Sequence, residues 1–117
     1  MPIATDPLSR SFFALADPTR RRLLELLGRG TASVNDLAER FDMSRPAISQ
    51  HLKVLEDAGL ISRTKAGQYR TCELRPEGLS EAEAWVIEHR ALWQARFDQL
   101  DEVIRGQQLP AHPEEES

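Results

Sequence analysis

The sequence has little of what enzymes, metal sites and membrane proteins need. Its only cysteine is Cys72, so neither an internal disulfide nor a zinc site built of cysteines alone can form. Motifs for a nucleophilic serine, a phosphate-binding glycine loop or an HExxH metal pair are missing. Apolar runs stay below the roughly 18 residues of a membrane span, and no signal peptide opens the chain. These absences predict a cytoplasmic protein without catalytic activity, metal, cofactor or membrane contact.

The net charge of −4 hides an uneven distribution. Residues 1–78 carry 12 Lys and Arg against 10 Asp and Glu, whereas residues 79–117 carry 3 against 9. Between Met43 and Arg70 five cations stand against two anions, so this region is locally basic and compatible with nucleic acid. The run Arg20-Arg21-Arg22 is interpreted as a solvated face rather than a phosphate clamp, because a helix N-terminus disfavours cations.

The stretch Met43–Leu60 contains a helix with two distinct faces. Ile48, Leu52 and Leu55 recur at the i, i+4, i+7 spacing of a buried stripe. The side chains between them are mostly polar or cationic, and such groups donate to phosphates and to base edges in a major groove. We therefore predict a recognition helix over Ser44–Ala58. Its predicted DNA-binding residues are Ser44, Arg45, Pro46, Ser49, Gln50, His51 and Lys53, although His51 could equally pack against the preceding helix.

Three shorter helices are predicted ahead of the recognition helix. Asp6-Pro7 and Asp17-Pro18 each pair a capping carboxylate with a proline in the first helical turn. Ser33 opens a capping box for a third helix, with aspartate in place of glutamate. The last of these and the recognition helix form a helix-turn-helix. The predicted helices run over Pro7–Leu15, Pro18–Leu27 and Val34–Phe41.

A hairpin is predicted directly after the recognition helix. Its strands, Leu60–Lys65 and Gln68–Leu74, flank Ala66-Gly67, where glycine supplies the positive φ of a tight turn. A basic hairpin in this position is typical of a wing that reaches DNA phosphates. The alternative is a solvated hairpin whose charges only protect its edges. The predicted wing contacts are Arg63, Lys65, Gln68 and Arg70.

The longest predicted helix, about Ser80–Arg105, begins with a capping box and carries an aromatic stripe. Because the rest of the chain already supplies a core, we expect this stripe to pack against a partner chain, with folding back onto its own core as the alternative. Residues 1–106 are predicted as one domain and residues 107–117 as a disordered acidic tail. The predicted dimer interface comprises Leu8, Phe12, Trp85, His89, Leu92, Trp93, Phe97, Leu100 and Ile104.

Together these elements predict a mainly α fold with a small β-hairpin. It is a winged helix-turn-helix of order α-α-α-α-β-β-α that forms a dimer. Cys72, in phase with Leu74 along its strand, is interpreted as a small buried filler rather than a redox switch. His89 is interpreted as an interface or solvated histidine rather than a metal ligand.

Three segments of the chain resemble the ArsR/SmtB-type winged-helix repressors. Residues 13–22 are similar to the family's opening signature, and residues 44–60 to its recognition helix and the exit into the wing. The last helix, with Trp85, Arg90 and Trp93, looks like that of a subgroup without metal-sensing cysteines, which includes SdpR-like autorepressors. The resemblance implies a homodimer built from the first and last helices. It also implies a repressor that binds an inverted-repeat operator in double-stranded DNA.

The chain departs from the metal-sensing relatives of this family. Residues 34–41 lack their cysteine pair. On the last helix, His89 has Ile87 two residues earlier and Leu100 eleven residues later, so the Asp/His set of another sensor type is absent. The resemblance thus assigns no small-molecule or metal inducer. A metal- or redox-responsive repressor acting through His89 or Cys72 stays open as an alternative.

A second alternative is a winged-helix protein-interaction module without DNA binding. Acidic or apolar residues on the outward face of the recognition helix would favour this alternative. The face instead carries Arg45, Gln50 and Lys53.

Overall fold

A computed structural model describes residues 6–108, without the side chains of residues 66, 107 and 108. The predicted winged helix-turn-helix is confirmed, with two added elements, a short strand and a 3₁₀ turn. Of the predicted tail, residues 107–117, the first two belong to the last helix, and residues 109–117 lie outside the described range. The elements are α1 Pro7–Leu15, α2 Pro18–Leu27, β1 Ala32–Ser33, α3 Val34–Arg40, α4 Arg45–Asp57, β2 Ile61–Ala66, β3 Tyr69–Leu74, the 3₁₀ turn Pro76–Leu79, and α5 Ser80–Gln108.

Each of the first four helices begins at a side chain that accepts a backbone N–H three residues ahead. The acceptor–nitrogen distances are 2.9 Å for Asp6, 3.0 Å for Asp17, 3.0 Å for Ser33 and 3.2 Å for Ser44. Each cap pairs with a backbone N–H that has no partner within its helix. All four predicted helix starts are confirmed.

One apolar core holds the helix-turn-helix and the wing together. The stripe Ile48, Leu52 and Leu55 of α4 is fully buried, as the spacing predicted. Leu23 of α2 and Leu37 of α3 are fully buried in the same cluster. The recognition helix therefore has its orientation set by packing along one side only.

The sheet has three strands rather than the predicted two. The short strand β1 pairs antiparallel with β3, giving the order β1-β3-β2. Ala32 lies opposite Cys72, and Ser33 lies opposite Thr71. Two residues are too few to show an alternating pattern, so β1 carries no periodic signal in the sequence. Its pairing covers the edge of β3 that the predicted hairpin left open.

The start of α5 differs from the predicted capping box. The 3₁₀ turn leads directly into the helix, and Ser80 has helical backbone angles (φ −59°, ψ −42°) rather than the extended ones of a cap. Gly78 of this turn lies against the corner after α4, where Gly59 has φ +76°. A Cβ at residue 78 would lie 2.1 Å from the Gly59 carbonyl oxygen, so only glycine fits there without a backbone shift.

The chain divides after Ala82 into two compact units, each described here by itself. The second unit consists of α5 from residue 83 onward, and the helix continues to Gln108, beyond the predicted end at Arg105. Within residues 6–108, no helix is long and apolar enough to span a membrane.

Candidate nucleic-acid interface

The side of α4 opposite the core is polar and open to solvent. At about 100° per residue, Arg45, Ser49, Lys53 and Gln50 cover an arc of about 140°, which runs from Arg45 beside the buried stripe to Gln50 opposite it. Ser49 is half-buried and the other three are exposed. Lys53 lies 3.6 Å from Asp57 one turn later, a solvated pair that leaves its ammonium accessible. The predicted base-contacting residues are thus together on one free surface.

Two predicted contact residues at the start of α4 have structural roles as well. Ser44 is the N-cap, with its hydroxyl occupied by the amide of Ala47. Pro46 lies in the first turn and is exposed, where its missing N–H leaves no helical hydrogen bond unmade. What this end of α4 offers a ligand is therefore its remaining free N–H groups and the Arg45 side chain.

His51 holds one flank of α4 against the corner between α1 and α2. Its Nδ1 lies 3.4 Å from Nη1 of Arg20 and 3.9 Å from the carboxylate of Asp17. An arginine can only donate, so this contact requires Nδ1 to accept. Of the two possibilities left open for His51, the structure favours packing, although the neighbour is α2 rather than the preceding α3.

The arginine run at the start of α2, predicted as a solvated face, is divided: Arg20 is buried, whereas Arg21 and Arg22 are exposed. Arg20 is only 8% exposed, and it donates to the carbonyl oxygens of Ala14 (2.9 Å) and Phe13 (2.7 Å) at the end of α1. Arg21 donates to the next carbonyl, that of Leu15, at 2.6 Å. By donating to carbonyls at the C-terminus of α1, Arg20 and Arg21 close the α1–α2 corner.

The opposite flank of α4 is joined to the wing by a salt bridge. Arg63 of β2 donates from Nη2 at 2.9 Å and Nε at 3.1 Å to one carboxylate oxygen of Glu56, in the last turn of α4. The Arg63 side chain is only 17% exposed. Arg63 is therefore not the free backbone anchor that its place in the wing predicted.

Sequence reasoning missed this bridge, although a signal for it was present. Arg63 is two residues from the buried Ile61, and alternate residues of a strand share a face. An arginine in phase with core residues requires a partner at the margin of that core, and Glu56 is that partner.

The tip of the wing carries two exposed cations. Lys65 lies directly opposite Arg70 across the hairpin, and both are exposed. Gly67, with φ +63°, and Gln68 form the two-residue turn between the strands. Like charges directly opposite each other destabilise a hairpin, so an anion placed between them would be favourable.

An acidic groove borders the other end of the recognition helix. It has a volume of about 570 Å³ and lies between α3 and the start of α4. Its lining includes the carboxylates Asp36, Glu39 and Asp42, beside Arg45. The three carboxylates make the α3 side of this groove acidic, and Arg45 is the cation of its lining.

An apolar surface lies on α5. At about 100° per residue, its large apolar side chains, except Ile87, fall within one arc of about 140°. Trp85 stacks on His89 with ring centroids 4.1 Å apart, Trp93 meets both rings edge-on, and the His89 ring nitrogen lies 2.8 Å from the Trp85 carbonyl oxygen. The large exposed members of this arc, each between 42% and 66% exposed, are Val86, Leu92, Trp93, Phe97, Leu100, Val103 and Ile104.

On α1, the two predicted interface residues are not among the buried ones. Ser11 and Ala14 are buried, whereas Leu8 is half-buried and Phe12 is 39% exposed. The predicted interface residues of α1 are therefore accessible.

The candidate sensing residues do not form a sensing site. Cys72 is fully buried, and burial raises the pKa of its thiol, which disfavours the reactive thiolate. Among residues 6–108, no three His, Cys, Asp or Glu side chains group in a way that could hold a metal ion.

The fold and this surface define the chain as a winged helix-turn-helix protein, and comparison with known proteins gives its family. A helix-turn-helix domain family matches residues 15–64. The transcriptional repressor SdpR of Bacillus subtilis (strain 168) is 38% identical over 80 residues, which cover 68% of this chain and 89% of SdpR. The arsenical resistance operon repressor of Staphylococcus xylosus is 38% identical over 72 residues, which cover 62% of this chain and 69% of that repressor.

A solved structure agrees with these sequence relatives. An ArsR family transcriptional regulator is 45% identical and superposes with a TM-score of 0.71, covering 76% of this chain and 98% of that one. The chain therefore belongs to the ArsR family of winged helix-turn-helix transcriptional regulators, which confirms the resemblance found in the sequence. The family is one of DNA-binding regulators and not of enzymes.

Proposed function

We propose that the protein is a cytoplasmic transcriptional repressor that binds an inverted-repeat operator in double-stranded DNA as a homodimer. The observation that carries the proposal is the free polar face of α4 beside a cationic wing tip. Bound across a promoter, such a dimer would exclude the polymerase.

The recognition helix supports contact with base edges. Gln50 is exposed on the side of α4 opposite the buried stripe, and its carboxamide can bond to two atoms of an adenine edge. Arg45, at the first position of α4, can reach either a guanine or a phosphate. Ser49, on the same arc between Arg45 and Lys53, adds a hydroxyl that donates or accepts.

The wing supports contact with the DNA backbone. Lys65 and Arg70 repel each other across the hairpin in the free protein, and a phosphate between them would relieve that repulsion. Gln68 in the turn and Lys53 on α4 extend the same polar surface. These side chains would set the register of the protein on DNA without selecting its sequence.

The apolar arc of α5 supports the homodimer. A contiguous set of large exposed side chains is unusual on a monomeric protein and indicates an interface. A second copy of α5 would present the same arc, which is the self-complementarity that a two-fold interface needs. The two recognition helices would then contact half-sites about one helical turn, roughly 10 bp, apart.

Selection of bound sequences from random DNA tests this proposal. The expected product is an inverted repeat with half-sites roughly 10 bp apart. A pool that stays random, or a single half-site bound by a monomer, would contradict it.

Two substitutions then separate base contacts from backbone contacts. Gln50→Ala should cost about 1–3 kcal/mol of binding free energy on the selected site and little on random DNA. Lys65→Gln should weaken binding to both DNAs and lower the salt dependence by about one ion. Equal losses on specific and random DNA for both variants would show that this division of roles is wrong.

Metal and redox sensing is the second candidate, and it is less well supported. The buried Cys72 thiol and the stacked His89 ring are already occupied by packing and hydrogen bonding. Titration of the protein–DNA complex with Zn²⁺ or an oxidant should therefore leave affinity for the selected site unchanged. A loss of binding that Cys72→Ala or His89→Ala abolishes would favour the sensor instead.

A further inference from the structure

The recognition helix is held at both flanks by polar contacts, and these differ in what they connect. His51 joins α4 to the corner between α1 and α2 through Arg20. Glu56 joins α4 to the wing strand β2 through Arg63. The second contact links the two elements proposed to bind DNA, so its geometry bears on how they act together.

The position of Arg63 along the wing divides an apolar base from a cationic tip. On one face of the hairpin, Ile61 opposite Leu74 is followed by Arg63 opposite Cys72, and then by Lys65 opposite Arg70. The base packs on the core and the tip is exposed. Arg63 is thus the last residue of this face that is held to the body of the domain.

The corner between α4 and β2 lies between the two residues of the bridge. Glu56 and Arg63 are seven residues apart around this corner. Gly59 lies between them with φ +76°, a conformation that glycine adopts without strain. The salt bridge spans the corner, with two donors on one carboxylate oxygen.

We propose that Glu56 and Arg63 are positioning residues for DNA binding, whose salt bridge fixes the wing relative to the recognition helix. The tip cations lie two residues beyond the bridge, about 7 Å along the strand. A wing held at one angle presents Lys65 and Arg70 at one distance from Gln50. Binding then does not have to order the wing, which increases affinity. This inference depends on the proposed DNA binding.

If Arg63 contacts a phosphate instead, a substitution at Glu56 should change DNA affinity in the opposite direction. If Arg63 were a backbone anchor, Glu56→Gln would remove an anion near DNA and release the guanidinium, so binding would strengthen. If the bridge positions the wing, Glu56→Gln loosens the wing. Binding then weakens although a negative charge near the DNA has been removed. The sign of the change therefore separates the two roles.

The experiment measures dissociation constants of full-length variants on the selected operator at several salt concentrations. We expect Glu56→Gln and Arg63→Gln each to weaken binding roughly 5-fold, and the double variant no more than either alone. We expect the exchanged pair Glu56→Arg with Arg63→Glu to recover most of the lost affinity. The salt dependence of Arg63→Gln should stay that of the unchanged protein.

Two matched controls isolate the charge effects. Glu73→Gln removes an exposed carboxylate from the other face of the hairpin and should strengthen binding slightly. Lys65→Gln should lower the salt dependence by about one ion. Thermal unfolding of every variant shows whether a loss comes from misfolding, and Arg63→Lys provides a milder test because it keeps the charge but not both donors.

The outcomes separate this inference from the proposed function. Tighter binding by Glu56→Gln, or a salt dependence of Arg63→Gln lowered by one ion, would overturn the positioning role while leaving DNA binding intact. Failure of the exchanged pair, if folded, to recover affinity would also overturn it. If the unchanged protein selects no DNA, the proposed function fails and this inference fails with it.

Discussion

Helices α4 and α5 carry similar apolar stripes, yet the stripe of α4 is buried and that of α5 is exposed. In α4, Ile48, Leu52 and Leu55 are fully buried, and the polar side of the helix faces solvent. In α5, large side chains such as Phe97 and Leu100 remain more than half exposed. Helix α4 therefore offers a polar surface on the side away from its buried stripe. Helix α5 offers an apolar surface.

This difference indicates what each surface can bind. Hydrogen-bonding groups on a helix held by its core keep their positions, which recognition of base edges requires. Exposed apolar area gains free energy by leaving water, so it binds a similar surface. Under the proposed function, α4 contacts DNA and α5 contacts a second copy of the chain.

The largest expected effect is on the free energy of unfolding, through the buried stripe of α4. Leu52→Ala should lower the free energy of unfolding by about 2–5 kcal/mol, because it leaves a cavity among close-packed side chains. Gln50→Ala, two residues away on the exposed arc, is the matched control and should change unfolding by less than about 0.5 kcal/mol. Urea unfolding followed by circular dichroism measures both. Similar losses in the two variants would mean that α4 is not packed on one side only.

A charge placed on the exposed stripe of α5 should break the dimer and leave the fold of the protomer intact. Leu100→Asp should cost about 2–4 kcal/mol of association free energy, since a carboxylate would be buried in an apolar interface. Ile87→Asp is the matched control, because Ile87 is 52% exposed but lies on the other side of the helix. Sedimentation equilibrium gives the oligomeric state of each. Dissociation by both variants, or by neither, would contradict an interface on this arc.

The smallest expected effect concerns Asp17, the N-terminal cap of α2. A hydrogen bond from the Arg20 amide holds the pKa of Asp17 below its ordinary value of 3.8. A lowered folded-state pKa contributes stability above the unfolded value, and that stability is lost as pH falls through the folded-state value. Asp17→Ala should therefore cost about 1 kcal/mol at neutral pH and less in acid.

Asparagine variants isolate this pH dependence. Asp17→Asn keeps a capping oxygen but cannot titrate, so its unfolding free energy should vary less with pH below about 4 than that of the unchanged protein. Asp6 also has a lowered pKa, caused by hydrogen bonds from Ser9, so Asp6→Asn serves as the parallel control. Unfolding measured between pH 3 and pH 6 tests both. An unaltered pH dependence in Asp17→Asn would show that the cap carries no titrating contribution.

Most of the fold could be predicted from the sequence, because its signals are local. A capping oxygen and the amide that it accepts are three residues apart, and a buried stripe repeats within two turns. Asp6, Asp17, Ser33 and Ser44 were therefore recognisable as helix starts. Strand β1 was not, since its two residues are ordered only by pairing with β3.

The candidate site was predictable as a set of residues but not as a set of roles. The exposed face of α4 follows from spacing alone, and so does the cationic turn of the wing. The sequence could not assign Arg20 to the α1 carbonyls or Arg63 to Glu56. Each of these arginines resembled a free cation until its neighbours were known.

The sequence by itself determined where the helices begin, which side of α4 is apolar, and which family the chain resembles. These features depend on hydrogen bonds and periodicities within a few residues. Only the tertiary structure decided which cations are free and which are held, because an ion pair depends on side chains that folding brings together. It also showed that the stripe of α5 is accessible, since the same spacing produces a buried face in α4 and an exposed one in α5.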